Sequence, residues 1–206
     1  MQRNTFPDIP FEVSIFNESS VKTFLNHIKK KDIVLDIGCG HGDFLIEKTR
    51  ENPDKFYVGI EISRKRTYKT SWRLFKRGIK NYVVVVGDGE LILKLLFPEN
   101  SVQEININFP DPWLRKRQWK NRILKPSFLI QVHRTLKDKG IFNFVTDVDE
   151  YAEQVVELLK LFPGFENNYK NWIEINLYDG FPTLFYRKMS ALRDINYISV
   201  RKRNLL

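Results

Sequence analysis

Sulfur and long apolar runs are nearly missing from this chain. A single cysteine, Cys39, stands among 206 residues. One thiol closes no intrachain disulfide and cannot supply the several thiolates of a cysteine-based zinc site. The three histidines, His27, His41 and His133, lie apart with no metal partner at ligand spacing, so no metal is expected. No stretch approaches the roughly 18 uncharged apolar residues that a membrane-crossing helix needs, so no membrane partner is expected either. The opening residues through Val13 carry no apolar run before their first acid. That reads as no secretory signal, and the expected compartment is the cytoplasm. Internal repeats and low-complexity segments are also lacking.

What is there reads as a folded, soluble chain. Hydrophobic residues make up 42% and charged residues 29%, which excludes a collagen-like or wholly disordered polymer. At roughly 150 residues per domain, one domain over 1–206 is expected. Residues 1–30 read as an N-terminal extension, partly irregular around Pro7 and Pro10. Lys plus Arg is 34 against 25 Asp plus Glu, a net charge of +9. A basic surface favours polyanions, with nucleic acid ahead of membrane.

The hydrophobic pattern alternates in period. Strands are expected at 33–35, 57–60, 83–86, 102–109 and 141–145, with two more near 172–177 and 196–200. Helices are expected after Gly42, over 64–78, 91–97, 126–139 and 149–162. On the second of these, Tyr68, Trp72, Phe75 and Ile79 form the apolar face, with Lys65, Lys69, Arg73 and Lys76 opposite. Pro126 opens the fourth helix and Gly140 lies past its end. Such alternation predicts an α/β fold of the Rossmann-like kind, a mostly parallel seven-stranded sheet with helices on both faces. Ligands then bind beyond the carboxyl ends of the strands. Each of those ends carries an acid: Asp36, Glu61, Asp88, Asp111 and Asp147.

The first strand runs into Asp36-Ile37-Gly38-Cys39-Gly40-His41-Gly42. Glycines let the backbone take positive φ and approach a ligand closely. A dinucleotide fingerprint would need a glycine at 43, where Asp43 stands, which disfavours a nicotinamide enzyme. The G-x-G-x-G pattern with an acid two residues earlier resembles motif I of class I S-adenosylmethionine methyltransferases. A ligand with an ammonium and a sulfonium tolerates Asp36 and Asp43 where a pyrophosphate would not. Glu61 is placed to accept ribose hydroxyls, and Asp88 to accept from an adenine amino group or to cap a helix. Cys39 reads as a small packing residue.

After the fourth strand comes Asn108-Phe109-Pro110-Asp111-Pro112-Trp113. Two prolines around an acid stiffen the backbone and preorganise the carboxylate. Five of the eight residues from Arg115 to Arg122 are basic, with Trp119 among them. Basic residues interleaved with aromatics bind phosphates and stack bases.

Together these motifs resemble the bacterial tRNA (guanine-N7-)-methyltransferases of the TrmB type. The quoted glycine loop, Gly59-Ile60-Glu61, Gly87-Asp88-Gly89-Glu90, the Asn108–Trp113 motif with its basic tail, and Thr146-Asp147 fall in that family's order. The resemblance implies S-adenosyl-L-methionine as cofactor, tRNA as partner, and methyl transfer to N7 of a variable-loop guanine. It implies that Asp36, Gly38, Gly40, Glu61, Asp88 and Asp111 face the cofactor, and that Asp111 is the catalytic acid. It implies substrate contacts from Arg115, Asp147, Thr183, Phe185 and Tyr186, and RNA contacts from Arg117, Gln118, Trp119, Lys120, Asn121 and Arg122. Tyr186 departs from the family, which carries a glutamate there. The chain is expected to act as a monomer or a homodimer. Open alternatives are a methyltransferase acting on another RNA or on an adenine amino group, and a catalytically weak RNA-binding relative.

Overall fold

The computed structural model describes the backbone of residues 12–13, and residues 32–178, 181 and 183–203. His27 and most of the expected N-terminal extension lie outside the described residues.

Among the described residues nine strands form one sheet: β1 (Glu12–Val13), β2 (Ile33–Ile37), β3 (Phe56–Glu61), β4 (Tyr82–Val86), β5 (Val102–Asn108), β6 (Leu136–Thr146), β7 (Phe165–Asn167), β8 (Glu174–Ile175) and β9 (Asn196–Lys202). The strand order is β1-β4-β3-β2-β5-β6-β9-β7, with β8 also paired to β9. Strands β1 to β6 run parallel, whereas β9 is antiparallel to β6, β7 and β8. The expected seven strands are all present, although the one expected over 172–177 is reduced to β8. Strand β7 and the two-residue β1 add to them. Both are too short to show a period in the sequence.

Six helices follow among the described residues: α1 (Asp43–Glu51), α2 (Arg64–Phe75), α3 (Gly89–Leu96), α4 (Pro126–Thr135), α5 (Asp149–Leu161) and α6 (Leu184–Met189). None is long and apolar enough to cross a membrane. Helix α4 ends at Thr135, four residues before the expected boundary. Leu136 turns to extended backbone and pairs with Val102, so β6 captures the segment that helical spacing assigns to α4. Lys139, at φ 60°, then bends the chain ahead of the long run of β6.

The sheet has two unlike faces. Ile33, Leu35, Ile37, Ile105, Ile107, Phe142, Phe144, Ile198 and Val200 pack one face against α3, α4 and α5 in the main core. Burying each such side chain stabilises the fold by about 1.5–3 kcal/mol. A smaller cluster on the other face holds Val34, Cys39, Leu45, Tyr57, Leu74 and Val84, with Cys39 packed as expected. Helix α2 corrects the face expected of it. Thr67, Thr70, Ser71 and Leu74 are buried, whereas Phe75 is exposed and Tyr68 and Trp72 are only half-buried. The reason is proximity: α2 lies so close to the glycine loop that only small side chains fit between them. A Cβ on Gly42 would sit 2.3 Å from Thr70 Cγ2. The Thr70 hydroxyl donates to the Gly40 carbonyl at 2.7 Å.

Candidate active site

Strand β2 lies between β3 and β5, and the chain leaves it in opposite directions on its two sides. The crevice at its carboxyl end is the predicted ligand site. Two adjoining clefts of about 360 and 330 Å³ open there. They share Gly38, Arg66 and Phe109 on their walls. The first is also bordered by Glu61, Asp88, Asp111, Trp113 and Arg122, and the second by Asp36, Gly40, Thr183 and Phe185. The structure therefore brings the glycine loop, four of the five strand-end acids and the Thr183–Phe185 segment to one place.

Gly38, Gly40 and Gly42 all have positive φ, as the sequence pattern predicts. The loop is pinned by Gly38 N–H and Cys39 N–H donating to the Ile60 carbonyl at 2.8 and 3.1 Å. Glu61 is buried and braces the loop from β3. One oxygen accepts from Gly40 N–H at 3.1 Å and the other from Ser63 N–H at 2.8 Å. Each carboxylate oxygen retains a lone pair for a further donor.

Asp36 is only 2% exposed. Its Oδ1 accepts from Asn108 Nδ2 at 3.2 Å, and its Oδ2 has no partner among the described residues. Burial pushes its carboxyl up to about 7 against the Asn108 hydrogen bond, and the charge of Glu61 adds to the rise. A buried, half-satisfied carboxylate beside a glycine loop calls for a cationic donor from a ligand. Asp88 caps α3, accepting from Leu91 N–H at 3.0 Å through Oδ1, and it remains exposed on the cleft wall.

The motif after β5 is a strained loop. Phe109 and Trp113 adopt φ of 50° and 46°. Left-handed backbone costs a non-glycine residue about 1–2 kcal/mol, and such strain collects at functional sites. Phe109 N–H donates to the Val145 carbonyl at 2.8 Å, and its ring lies 4.9 Å from that of Phe185. Asp111 stands exposed on the loop between Phe109 and Trp113.

The expected contact residues divide into two groups. Arg115, Arg117, Lys120 and Asn121 are exposed, on or beside a 3₁₀ turn over Lys116–Asn121. Gln118 and Trp119 are half-buried. Arg122 corrects its expectation: it is 1% exposed and cannot reach a phosphate in this structure. It sits between the rings of Trp119 and Tyr151, at 4.5 and 4.4 Å from their centroids, so Trp119 stacks on Arg122 rather than standing free for a base.

Tyr186 is corrected likewise. It is buried with Val145, Ile195 and Tyr197, and its hydroxyl donates to the Tyr178 carbonyl at 2.7 Å, so it faces the core and not the cleft. Thr183 caps α6, accepting from Tyr186 N–H at 3.0 Å. Asp147 borders neither cleft and pairs with Arg193 at 3.1 Å. Arg193 and Gln154 act on Asp147 and Arg122, and no local pattern in the sequence points to them. Each draws its role from a partner distant in sequence.

This strand order, with antiparallel β9 set between β6 and β7 and a glycine loop at the switch point, defines a class I methyltransferase fold. The fold is similar to that of a solved 16S rRNA methyltransferase, KamB, with a TM-score of 0.66 over 94% of this chain and 99% of that one, at 15% identity. It is similar as well to a SAM dependent methyltransferase from Aquifex aeolicus, with a TM-score of 0.58 at 16% identity, covering 88% of each chain. Residues 30–191 match the profile of a family described as "Putative methyltransferase", and the chain belongs to that family.

Among curated relatives, a tRNA (guanine-N(7)-)-methyltransferase of Nitrosococcus oceani is 35% identical over 137 residues, 66% of this chain and 58% of that protein. The protein of the same name from Thermotoga maritima is 36% identical over 151 residues, 71% of this chain and 48% of that protein. The matches thus span about half of those relatives' own lengths.

Proposed function

We propose that this chain transfers a methyl group from S-adenosylmethionine to N7 of a guanine in tRNA. The observation that carries the reading is the strained Asn108–Trp113 loop beside the glycine-loop cleft, continued by an exposed basic turn. Relatives bearing the same activity in their names support it.

The residues present suit the cofactor. Asp36 Oδ2 offers a buried acceptor for the methionine ammonium, Glu61 retains lone pairs for the ribose hydroxyls, and Asp88 borders the cleft for the adenine. When bound, the cofactor supplies an electrophilic methyl group. N7 of guanine already carries a free lone pair, so no side chain must remove a proton from it. The chain's work is then orientation, worth several kcal/mol. Methylation leaves positive charge on the purine, and the carboxylate of Asp111, fixed between two prolines, favours that charge. Arg115, Arg117, Lys120 and Asn121 face solvent and would meet phosphates, while Phe185 and Thr183 border the neighbouring cleft where the base would lie.

The inward turn of Tyr186 favours a second reading, a relative that binds RNA without turnover. The family's glutamate there would accept from the guanine N1–H and amino group, and a buried tyrosine cannot. Labelled S-adenosylmethionine with unmodified tRNA, followed by nucleoside mass spectrometry, separates the two. A 7-methylguanosine product is expected. Binding of both ligands without product would leave the second reading standing.

A further inference from the structure

We infer that Arg122 is a positioning residue that clamps the Asp111 loop, rather than one of the RNA-binding cations of the basic run in which it sits. The inference rests on the methyltransferase reading of the cleft.

Two of its three guanidinium nitrogens are committed to protein acceptors. Nε donates to the Pro112 carbonyl at 2.8 Å, next to Asp111 in the chain. Nη1 donates to Gln154 Oε1 on α5. One ring on each of two elements holds the guanidinium by cation–π contact: Trp119 from the 3₁₀ turn and Tyr151 from α5. Among the described residues no carboxylate lies within ion-pair distance of it. A buried cation without a counter-ion is costly, so neutral acceptors and π faces must hold it in one geometry. The side chain also borders the cleft that Asp111 borders, and its Nη2 has no partner among the described residues.

The loop needs such a clamp. Phe109 and Trp113 hold left-handed backbone, and Pro110 and Pro112 offer no N–H through which the loop could be tied. Its carbonyls remain. Arg122 takes the carbonyl of Pro112, while Val145 takes Phe109 N–H on the other side of Asp111. The chain between those ties is Phe109-Pro110-Asp111-Pro112, so Asp111 is fixed from both ends. Lysine could not replace Arg122, because an ammonium neither stacks as a plane between two rings nor donates along two fixed directions.

The test uses Arg122→Met, Arg122→Lys and Gln154→Ala in the full chain. Single-turnover methyl transfer to tRNA, KM for tRNA, cofactor Kd, and exchange of the Phe109 amide, which donates to Val145, are measured. Arg122→Met is expected to slow single-turnover transfer by about 30- to 100-fold, the size that a misplacement of about 1 Å produces. KM for tRNA and its salt dependence should stay within about twofold, and exchange at the Phe109 amide should quicken about tenfold, values set on the same argument. Arg122→Lys should restore little of the rate, and Gln154→Ala should show a smaller loss in the same direction.

An unchanged single-turnover rate, or a raised KM with a shallower salt slope, overturns the clamp and returns Arg122 to the RNA surface. Should Arg122→Met not fold, Gln154→Ala and Arg122→Lys carry the same readouts. If the wild-type chain forms no 7-methylguanosine, the proposed function fails by itself. Exchange at the Phe109 amide then still decides the clamp: quickened exchange supports it and unchanged exchange overturns it.

Discussion

The two faces of the sheet at β5, β6 and β9 are built on opposite chemistry. One carries Ile105, Ile107, Phe142, Phe144, Ile198 and Val200 into the main core. The other carries a chain of side-chain hydrogen bonds across three strands. Ser199 Oγ donates to Asn143 Oδ1 at 2.7 Å, Asn143 Nδ2 to Asn106 Oδ1 at 3.0 Å, and Asn106 Nδ2 to Glu104 Oε1 at 3.0 Å. At the end of that face Asn108 reaches Asp36 on β2. The apolar face supplies stability without direction. The polar face fixes the register of β5 against its neighbours and delivers one amide to the site. A sheet that must present acids at defined strand ends uses both, because hydrophobic contact alone tolerates small slips and paired amides do not.

Breaking each face should read differently. Phe144→Ala should cost the most stability, about 3–5 kcal/mol, seen as a lower urea midpoint with cofactor affinity retained in the folded fraction. An effect under about 1 kcal/mol would mean that the apolar face does not carry the fold. Next in size, Asp111→Ala should lower methyl transfer by about 10²–10³-fold, about 2.7–4 kcal/mol, with unfolding and cofactor binding little changed. Retained single-turnover rates would remove Asp111 from the chemistry.

Asn143→Leu should cost about 1–3 kcal/mol by leaving Asn106 Oδ1 without its donor and the Ser199 hydroxyl without its acceptor, a loss larger than one ordinary surface change. If it is neutral, the amide chain contributes nothing to register.

The pH dependence of cofactor binding sharpens the link between polar face and site. Asp36, with its carboxyl raised to about 7, is half-protonated near neutrality in the free protein. A bound ammonium favours the ionised form, so affinity should be fully expressed above pH 7 and fall roughly tenfold between pH 8 and pH 6. Stability of the free protein runs the other way for this group. A raised folded pKa destabilises the fold as pH climbs from the unfolded value near 4 to about 7, and is without effect below that window. Calorimetric titration across that range checks the sign, and a flat profile removes Asp36 from cofactor binding. Asn108→Ala should move the midpoint upward, since it deletes the hydrogen bond that holds the carboxylate down.

The smallest effect belongs to the exposed basic turn. Arg117→Gln with Lys120→Gln should flatten the salt dependence of tRNA binding, by about 0.7–0.9 in log–log slope for each phosphate left unneutralised, with the fold untouched. An unaltered slope would place the RNA elsewhere on the surface.

Much of this is legible in the sequence where the signal is local. The Ile105 and Ile107 alternation, the glycine loop after Ile37, and the acids at the strand ends report their own positions, because period and turn chemistry act over a few residues. Arg122 is hidden by the run of cations around it, and only the surrounding fold reveals that Trp119 and Tyr151 enclose it. Its spacing of three from Trp119 on a 3₁₀ turn is the one local hint. Tyr186 is hidden for a similar reason: motif position puts it at the ligand, whereas the Tyr178 carbonyl and Ile195 draw it inward. On α2 the aromatic stripe has the stronger periodicity, but close approach of the glycine loop selects the threonine and serine side.

That close approach also decides which side of the loop is open. Gly42 is backed by Thr70 with no room for even a methyl group, while a Cβ on Gly38 would meet nothing within 4 Å. The loop is walled on one side and open on the other. Gly38 is thus the part of the loop that a ligand can approach closely, on the same cleft wall that Asp111 borders.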